Sequence, residues 1–338
     1  VSRNITEKSR SLYLNTVHNT LRGYGLRSMD YYDGSLTNGM TEMMNTPQTN
    51  ANANALWPSF SFLVETLIPG GGYNSMIHFE RRVKSHLFAA KSIIEVTANN
   101  SKEVKSIIDT ERKSLLEKAS VYDNDDVIVL KQDTIKEMID FYYIDMKNAD
   151  LKTANVEFNS YTNGSVSKSI SRPLGYLLPK TNDMSLAIER LKIMGVEVEE
   201  LLPSEVPTTG IQKYIVKSNK VATTLNQGVY LNSLTVDVEN CDNIAFVNGA
   251  YYIRMDQKMT NFIGIALEPE HESSFATYRL IDLESYGVGE VLPYYRYIGD
   301  KKESTQLDTP IVTISSNGVA SWSEVSNATS YIYKIDNG

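Results

Sequence analysis

Residues 57–90 read WPSFSFLVETLIPGGGYNSMIHFERRVKSHLFAA, and their reading decides the fold. Phe60, Phe62 and Val64 alternate with Ser59, Ser61 and Leu63. So apolar an extended run predicts a strand covered on both faces. Glu65 stands at its C-terminal end and Gly70, Gly71 and Gly72 follow, letting the backbone turn sharply and approach a ligand closely. The run lacks the Gly-Lys-Ser/Thr ending of a phosphate loop. Phe79, Val83, Leu87, Ala90, Ile94 and Thr97 then recur at helical spacing, which predicts a helix packed on the sheet. An acid at a strand end more often faces solvent in a loop, but ligands of open α/β sheets bind outside the carboxyl ends of the strands, which makes Glu65 a candidate for chemistry. Arg81 and Arg82 open the helix. They either face solvent, pairing with Glu80 or Glu65, or hold a substrate carboxylate, which the planar guanidinium fork suits.

The segment FLVETLIPGGG…RRVKSHLFAAKSIIEVTANN resembles the C-terminal part of the catalytic domain of the zinc carboxypeptidases, the funnelin group. It is most similar to a bacterial branch with a strand-Glu-Thr-Arg-Gly pattern, a glycine-rich loop and a helix opening with Arg-Arg-Val. The resemblance implies that Glu65 is the general base beside the metal. Leu67 replaces the family's Arg two places after the Glu, so that arginine's role is not carried over. Tyr31 or Tyr32 falls where the family carries a tyrosine that closes over substrate, and Tyr32 is preferred. The other reading, two aromatics anchoring a loop, stands beside it.

The rest of the composition sets bounds. The chain has 338 residues, 41% apolar and 22% charged, enough for several domains with ordinary cores. A net charge of −8 argues against a nucleic-acid or anionic-membrane partner. With Cys241 alone, no internal disulfide forms, as in cytosolic proteins and, by resemblance, many secreted Gram-positive ones. No run has the length of a membrane span. The absence of an initiator Met, and an end inside a β-rich stretch, suggest a fragment cut at both ends.

In chain order, residues 6–25 predict an amphipathic helix capped by Thr6 and stopped by Gly25. His18 reads as a partly buried helix residue, since it has no companion ligands at zinc-site spacing. Residues 26–32 are extended, and a long Asn- and Gly-rich loop follows. Residues 101–122 predict a charged amphipathic helix. Residues 123–171 read as an acidic linker or lid with strand-like pieces at 127–130 and 139–146. From Arg172 the pattern becomes strand (175–178), helix (184–194) and strand (196–201), a βαβ-type unit with Asn182 or Asp183 as cap. Residues 211–267 are strand-rich. Glu268, Glu270, His271 and Glu272 invite a metal reading, but without a second ligand cluster they are read as a solvated turn. Residues 304–309 form a polar linker. Asn317-Gly318 then marks a hairpin, and Trp322, Tyr331 and Tyr333 resemble the opening strands of a fibronectin-type-III-like sandwich.

The expected fold class is therefore α/β. It comprises the C-terminal part of a carboxypeptidase-like mixed sheet with helices (1–122), the linker or lid (123–171), an α+β accessory module (172–303) and an incomplete β-sandwich (304–338). The resemblance implies a zinc metallocarboxypeptidase acting on peptide, cell-wall peptide included, in an extracellular or cell-wall setting. Glu65 would be catalytic, and Tyr32, Arg81 and Arg82 would bind substrate. The family's His-x-x-Glu and later His lie upstream of the strand-Glu segment, and residues 1–64 hold only His18. Zn²⁺ ligands are therefore expected outside the chain, and the chain alone is expected to be inactive. A second reading is a non-catalytic cell-surface or cell-wall binding protein that keeps the fold.

Overall fold

The computed structural model describes residues 2–43, 46–66, 76–145, 147–148, 150–299, 310–323 and 325. Val1–Ile298 form one compact unit and Gly299–Gly338 a second. The first is mixed α/β, as the sequence implies. Leu67, Gly70–Gly72, residues 304–309, Tyr331 and Tyr333 lie outside the described residues.

The first helix begins earlier than residue 6. α1 (Arg3–Lys8) is capped by Ser2, whose side chain accepts the Ile5 N–H at 3.3 Å. Thr6 instead donates to the Ser2 carbonyl. A π-helical stretch, Ser9–Leu14, leads into α2 (Asn15–Gly23). Gly25, at φ +70°, ends the helix as foreseen. Its N–H reaches the Arg22 carbonyl and the Leu26 N–H the Leu21 carbonyl, the paired bonds of a Schellman stop.

Residues 33–58, read as a loop, contain a short hairpin, β1 (Tyr32–Ser35) with β2 (Gly39–Glu42), and a helical turn, α3 (Asn50–Asn54). The run at 59–66 corrects the strand expectation: it has no regular secondary structure and joins no sheet among the described residues. Phe60 and Phe62, on one face by their alternation, pack on Tyr13 with ring centroids 5.1 and 4.9 Å away. Two long helices follow, α4 (Met76–Asn99) and α5 (Ser101–Ala119). Arg112 of α5 holds the residues just before the run, donating to the Pro58 carbonyl at 3.0 Å and lying 5.0 Å over the Trp57 ring.

Residues 123–171 carry more strand than expected. β3 (Val127–Asp145) and β4 (Asp150–Ser171) form one antiparallel ribbon. At about 3.3 Å per residue it runs roughly 60 Å, far beyond an ordinary strand. β2 pairs with β4 in parallel, giving the sheet order β1-β2-β4-β3. At the ribbon's base, Ile128 and Leu130 join the main core.

The βαβ reading holds, with one strand interposed. β5 (Gly175–Pro179), α6 (Asn182–Ile193) and β6 (Glu199–Leu201) precede β7 (Ile211–Val221), β8 (Asn232–Cys241), β9 (Ala250–Arg254), α7 (Thr260–Leu267) and β10 (Val291–Tyr297). The six strands order as β6-β9-β5-β10-β7-β8. Because β5 and β6 each pair antiparallel with β9, they run parallel to one another. Thr181, rather than Asn182 or Asp183, is the N-cap residue of α6. Met184, Ala187, Ile188 and Leu191, spaced three and four apart, bury one face of α6 in the main core with Tyr176 and Leu178.

In the second unit β11 (Val312–Ile314) and β12 (Ala320–Trp322) form the hairpin expected around Asn317-Gly318.

Candidate active site

An open cavity of about 2830 Å³ is bounded by α2, the extended residues 26–31, the 59–66 run, α4 and the ribbon. Glu65, Tyr31, Tyr32, Arg81 and Arg82 all line it.

Glu65 is exposed to the cavity. The phenol that feels its charge belongs to Tyr31, which is 43% exposed. The Glu65 charge is the chief cause that raises the Tyr31 pKa, with burial and Asp33 adding to it. Tyr32, the preferred residue of the pair, is placed differently. Its ring packs edge-on against Phe141 and Phe158, at 6.0 and 5.1 Å. Burial raises its pKa, followed by the charge of Asp30. Alternation along an extended chain turns adjacent side chains to opposite sides, so only one of the two can meet Glu65.

The next residue ties Glu65 to α4. Thr66 Oγ1 accepts a hydrogen bond from Arg82 Nε at 3.4 Å and lies 3.2 Å from His86 Nε2. Arg82 and His86, four residues apart, share one helix face. Arg81 and Arg82 form no ion pair among the described residues; Glu80 is engaged by Lys84 at 2.5 Å. Both guanidiniums therefore bring unneutralised positive charge to the cavity wall.

His18 lies deeper in the same wall, partly buried as read. Its Nδ1 is 2.7 Å from Ser28 Oγ and its Nε2 is 3.3 Å from Asp30 Oδ1. Asp30 also lies 3.7 Å from Arg10, which reaches Glu42 at 3.1 Å. This polar chain fixes the segment that carries Tyr31. Asp30, Thr66 and His86 were missed in the sequence. Asp30 had a signal in DYY beside His18's helix, whereas nothing local pairs Thr66 with a residue twenty positions on.

The residues present do not supply a zinc site. Among the described residues no group of three or more His, Cys, Asp or Glu side chains is placed to hold a metal ion. The Glu268–Glu272 stretch, read as a solvated turn, is mostly enclosed, with Glu272 alone of its acids exposed. Glu268, Glu270 and His271 are buried. Glu268 accepts the Tyr176 hydroxyl at 2.7 Å and pairs with Arg296, while Glu270 accepts the Val236 N–H at 2.7 Å and pairs with Lys168. No helix among the described residues is long and apolar enough to cross a membrane.

No protein-family model and no solved structure matches the chain. It is similar to proteins called carboxypeptidase 2 from the fungi Trichophyton equinum and Trichophyton rubrum, 26% identical to each over 304 residues, 88% of this chain and 53% of the relative. A protein called probable carboxypeptidase 2 from Arthroderma benhamiae is 25% identical over 276 residues, 79% of this chain and 49% of the relative. These relatives are fungal, whereas the motif pattern had pointed to a bacterial branch. The chain spans about half the length of the relatives it matches, and the match, over 88% of it, makes this a carboxypeptidase-like region.

Proposed function

We propose that this chain is the base-bearing part of a carboxypeptidase-type peptidase, with Glu65 as the general base. The observation that carries the reading is the meeting of Glu65 with the Tyr31 phenol in an open cavity edged by Arg81 and Arg82. Similarity to carboxypeptidase-named relatives across this region supports it.

In this reading the Glu65 carboxylate takes a proton from water as the water oxygen attacks the scissile carbonyl carbon. The carbonyl pair moves onto oxygen. As the C–N bond breaks, Glu65 returns the proton to the departing amine. Arg81 and Arg82 hold the carboxylate of a peptide C-terminus, a task for which a guanidinium fork is suited. Tyr31, whose phenol lies in reach of the Glu65 charge, is the tyrosine that meets substrate, while Tyr32 anchors the segment against the ribbon. The zinc implied by the family resemblance would need ligands beyond the described residues, so no step here runs through it. An extracellular or cell-wall setting, with cell-wall peptide among the substrates, belongs to the same reading.

The lack of a ligand cluster among the described residues favours one alternative, a binding protein that keeps the fold and the arginines without turnover. One assay separates the two. The protein, at the length its gene encodes, is offered a peptide with a free C-terminus and the same peptide amidated. Release of the terminal residue from the free peptide alone supports the peptidase. Equal binding with no release sinks it and leaves the binding protein. The 338-residue chain by itself is expected to release nothing.

A further inference from the structure

The cavity wall holds three side chains that the peptidase reading leaves without a chemical task. His18 stands on α2, and Gly25, at φ +70°, turns the chain back so that Leu26 packs with Val17 and Leu21 of the same helix. Ser28 and Asp30 are thereby laid against the His18 ring, one at each nitrogen. Nδ1 lies 2.7 Å from Ser28 Oγ, and Nε2 lies 3.3 Å from Asp30 Oδ1. An ionised carboxylate only accepts, so Nε2 carries the proton of the neutral ring. The lone pair is then on Nδ1, and the Ser28 hydroxyl donates to it. A hydroxyl, a base and a carboxylate that orients the base thus stand in order, the arrangement that activates a serine on unrelated folds. The two nitrogens exchange the parts they play in the chymotrypsin-type triad, but either serves as base once the other is held as donor. Arg10, 3.7 Å from Asp30 Oδ2, holds the carboxylate from its other oxygen. Ser28 is exposed to the cavity, while the His18 and Asp30 side chains behind it are 23% and 35% exposed. The backbone N–H groups of Ser28 and Met29 have no acceptor among the described residues, which leaves both available to an oxyanion beside Oγ.

We propose that Ser28, His18 and Asp30 form a second catalytic centre in this cavity, a serine-type site that hydrolyses carboxylic esters. The Ser28 proton passes to His18 Nδ1 as Oγ bonds to the ester carbonyl carbon, and the carbonyl pair moves onto oxygen. When that pair returns, the bond to the alkoxy oxygen breaks and the departing alcohol takes the proton from Nδ1. Water then gives a proton to Nδ1 as its oxygen attacks the acyl carbon. Ser28 Oγ leaves with that proton, and a carboxylic acid is released. Asp30 keeps the ring in the tautomer that makes Nδ1 the base. An ester suits the centre better than an amide, because an alkoxy group departs more readily than an amide nitrogen. None of these steps uses Glu65, so the centre stands or falls apart from the peptidase reading.

Labelling of the protein, at the length its gene encodes, with a fluorophosphonate tests this, the modified serine being located peptide by peptide. Ser85 lines the same cavity but donates to the Arg81 carbonyl, so it serves as the reference within the same folded molecule. A positioned base is worth about 10²–10⁴-fold. Ser28 is therefore expected to react at least about 100-fold faster than Ser85, and to fall towards the Ser85 rate in His18→Gln. Hydrolysis of p-nitrophenyl butyrate should show a burst of acyl-enzyme that Ser28→Ala abolishes. Equal labelling of Ser28 and Ser85 in the unsubstituted protein overturns the proposal, and that comparison needs no variant to fold. So does Ser28 labelling that stays fast in His18→Gln, because the imidazole is then not the base. Phosphonate capture needs no turnover at Glu65, so a failure here is distinct from a failure of the peptidase reading.

Discussion

Arg296 Nε lies 3.2 Å from Glu268 Oε1, and the two side chains are 1% and 2% exposed. The pair sits among three enclosed tyrosines, Tyr176, Tyr214 and Tyr294. Burial raises the Glu268 pKa, and Arg296 and the Tyr176 hydroxyl only partly oppose that rise. Arg296 also donates to Gln212 Oε1 at 2.5 Å and to the Ser171 carbonyl, joining the end of the ribbon to the six-stranded sheet. Removing one partner of a buried pair leaves an uncompensated charge, which costs about 3–5 kcal/mol. Arg296→Met is therefore expected to lower the denaturant midpoint strongly. The double variant Arg296→Met with Glu268→Gln is expected to lose less than the single one. Equal losses would show that the charge left behind is not the cause.

His271 makes stability sensitive to acid. Burial lowers its pKa from 6.5 to about 4, and its Nδ1 accepts the Ser273 N–H at 3.0 Å, a bond that only the neutral ring can accept. As pH falls through 6.5 the unfolded chain binds this proton and the folded chain does not until about pH 4. Stability is thus lost between those values and levels off below, with a ceiling of about 3 kcal/mol at 1.36 kcal/mol per pKa unit. Buried carboxyls such as Glu268, whose pKa burial raises, act in the opposite sense. The check is therefore the difference between wild type and His271→Gln, measured by denaturant unfolding from pH 7.5 to 4. That difference should narrow as pH falls; a constant one contradicts the assignment.

The Tyr31–Glu65 contact has its own signature. Because the Glu65 charge is the main cause of the raised Tyr31 pKa, Glu65→Gln should shift the Tyr31 titration down. NMR of ¹³C-labelled tyrosine, with Tyr31→Phe for assignment, reads this directly. A Tyr32 signal that moves more than Tyr31 would reverse the roles given to the two residues.

Two glycines separate strain from collision. A methyl group at Gly25, at φ +70°, meets nothing within 4 Å, so Gly25→Ala should cost only the left-handed strain, about 1–2 kcal/mol. At Gly249, φ +78°, the same methyl would lie 2.1 Å from the Leu201 carbonyl oxygen. Gly249→Ala must also part β6 from the turn before β9, and its thermal midpoint should fall well below that of Gly25→Ala. Equal midpoints would show that β6 yields without cost.

The sequence made the long helices legible because α4, α5 and α6 carry apolar residues at helical spacing, but spacing does not say what covers a face: Phe79, Val83, Leu87 and Ile94, expected to pack α4 on the sheet, are exposed, and Ala89, Ser92 and Val96 are buried instead. The run at 59–66 shows the limit of that reasoning. Alternation of Phe60, Phe62 and Val64 reports a run with one packed face, but contacts with Tyr13 hold this one where no paired strand is present among the described residues. Glu268 and Glu270 were misread for a related cause, whereas Glu272 is exposed as read. The partners of the two buried acids, Lys168, Tyr176, Val236 and Arg296, lie far along the chain, so local polarity suggested solvent where distant residues enclose them. At the site, Glu65 and the two arginines were legible as a motif. The meeting of Glu65 with Tyr31 rather than Tyr32 was not, because it depends on which of two adjacent side chains the β1–β2 hairpin and the ribbon claim for packing.

The measurement that bears most directly on the account is the turnover of Glu65→Gln in the gene-length protein, with peptide binding measured alongside. If Glu65 is the general base, kcat falls by about 10²–10⁴-fold while peptide affinity and thermal midpoint stay close to wild type. If Glu65→Gln turns over at the wild-type rate, the proton is taken elsewhere and the central claim is wrong.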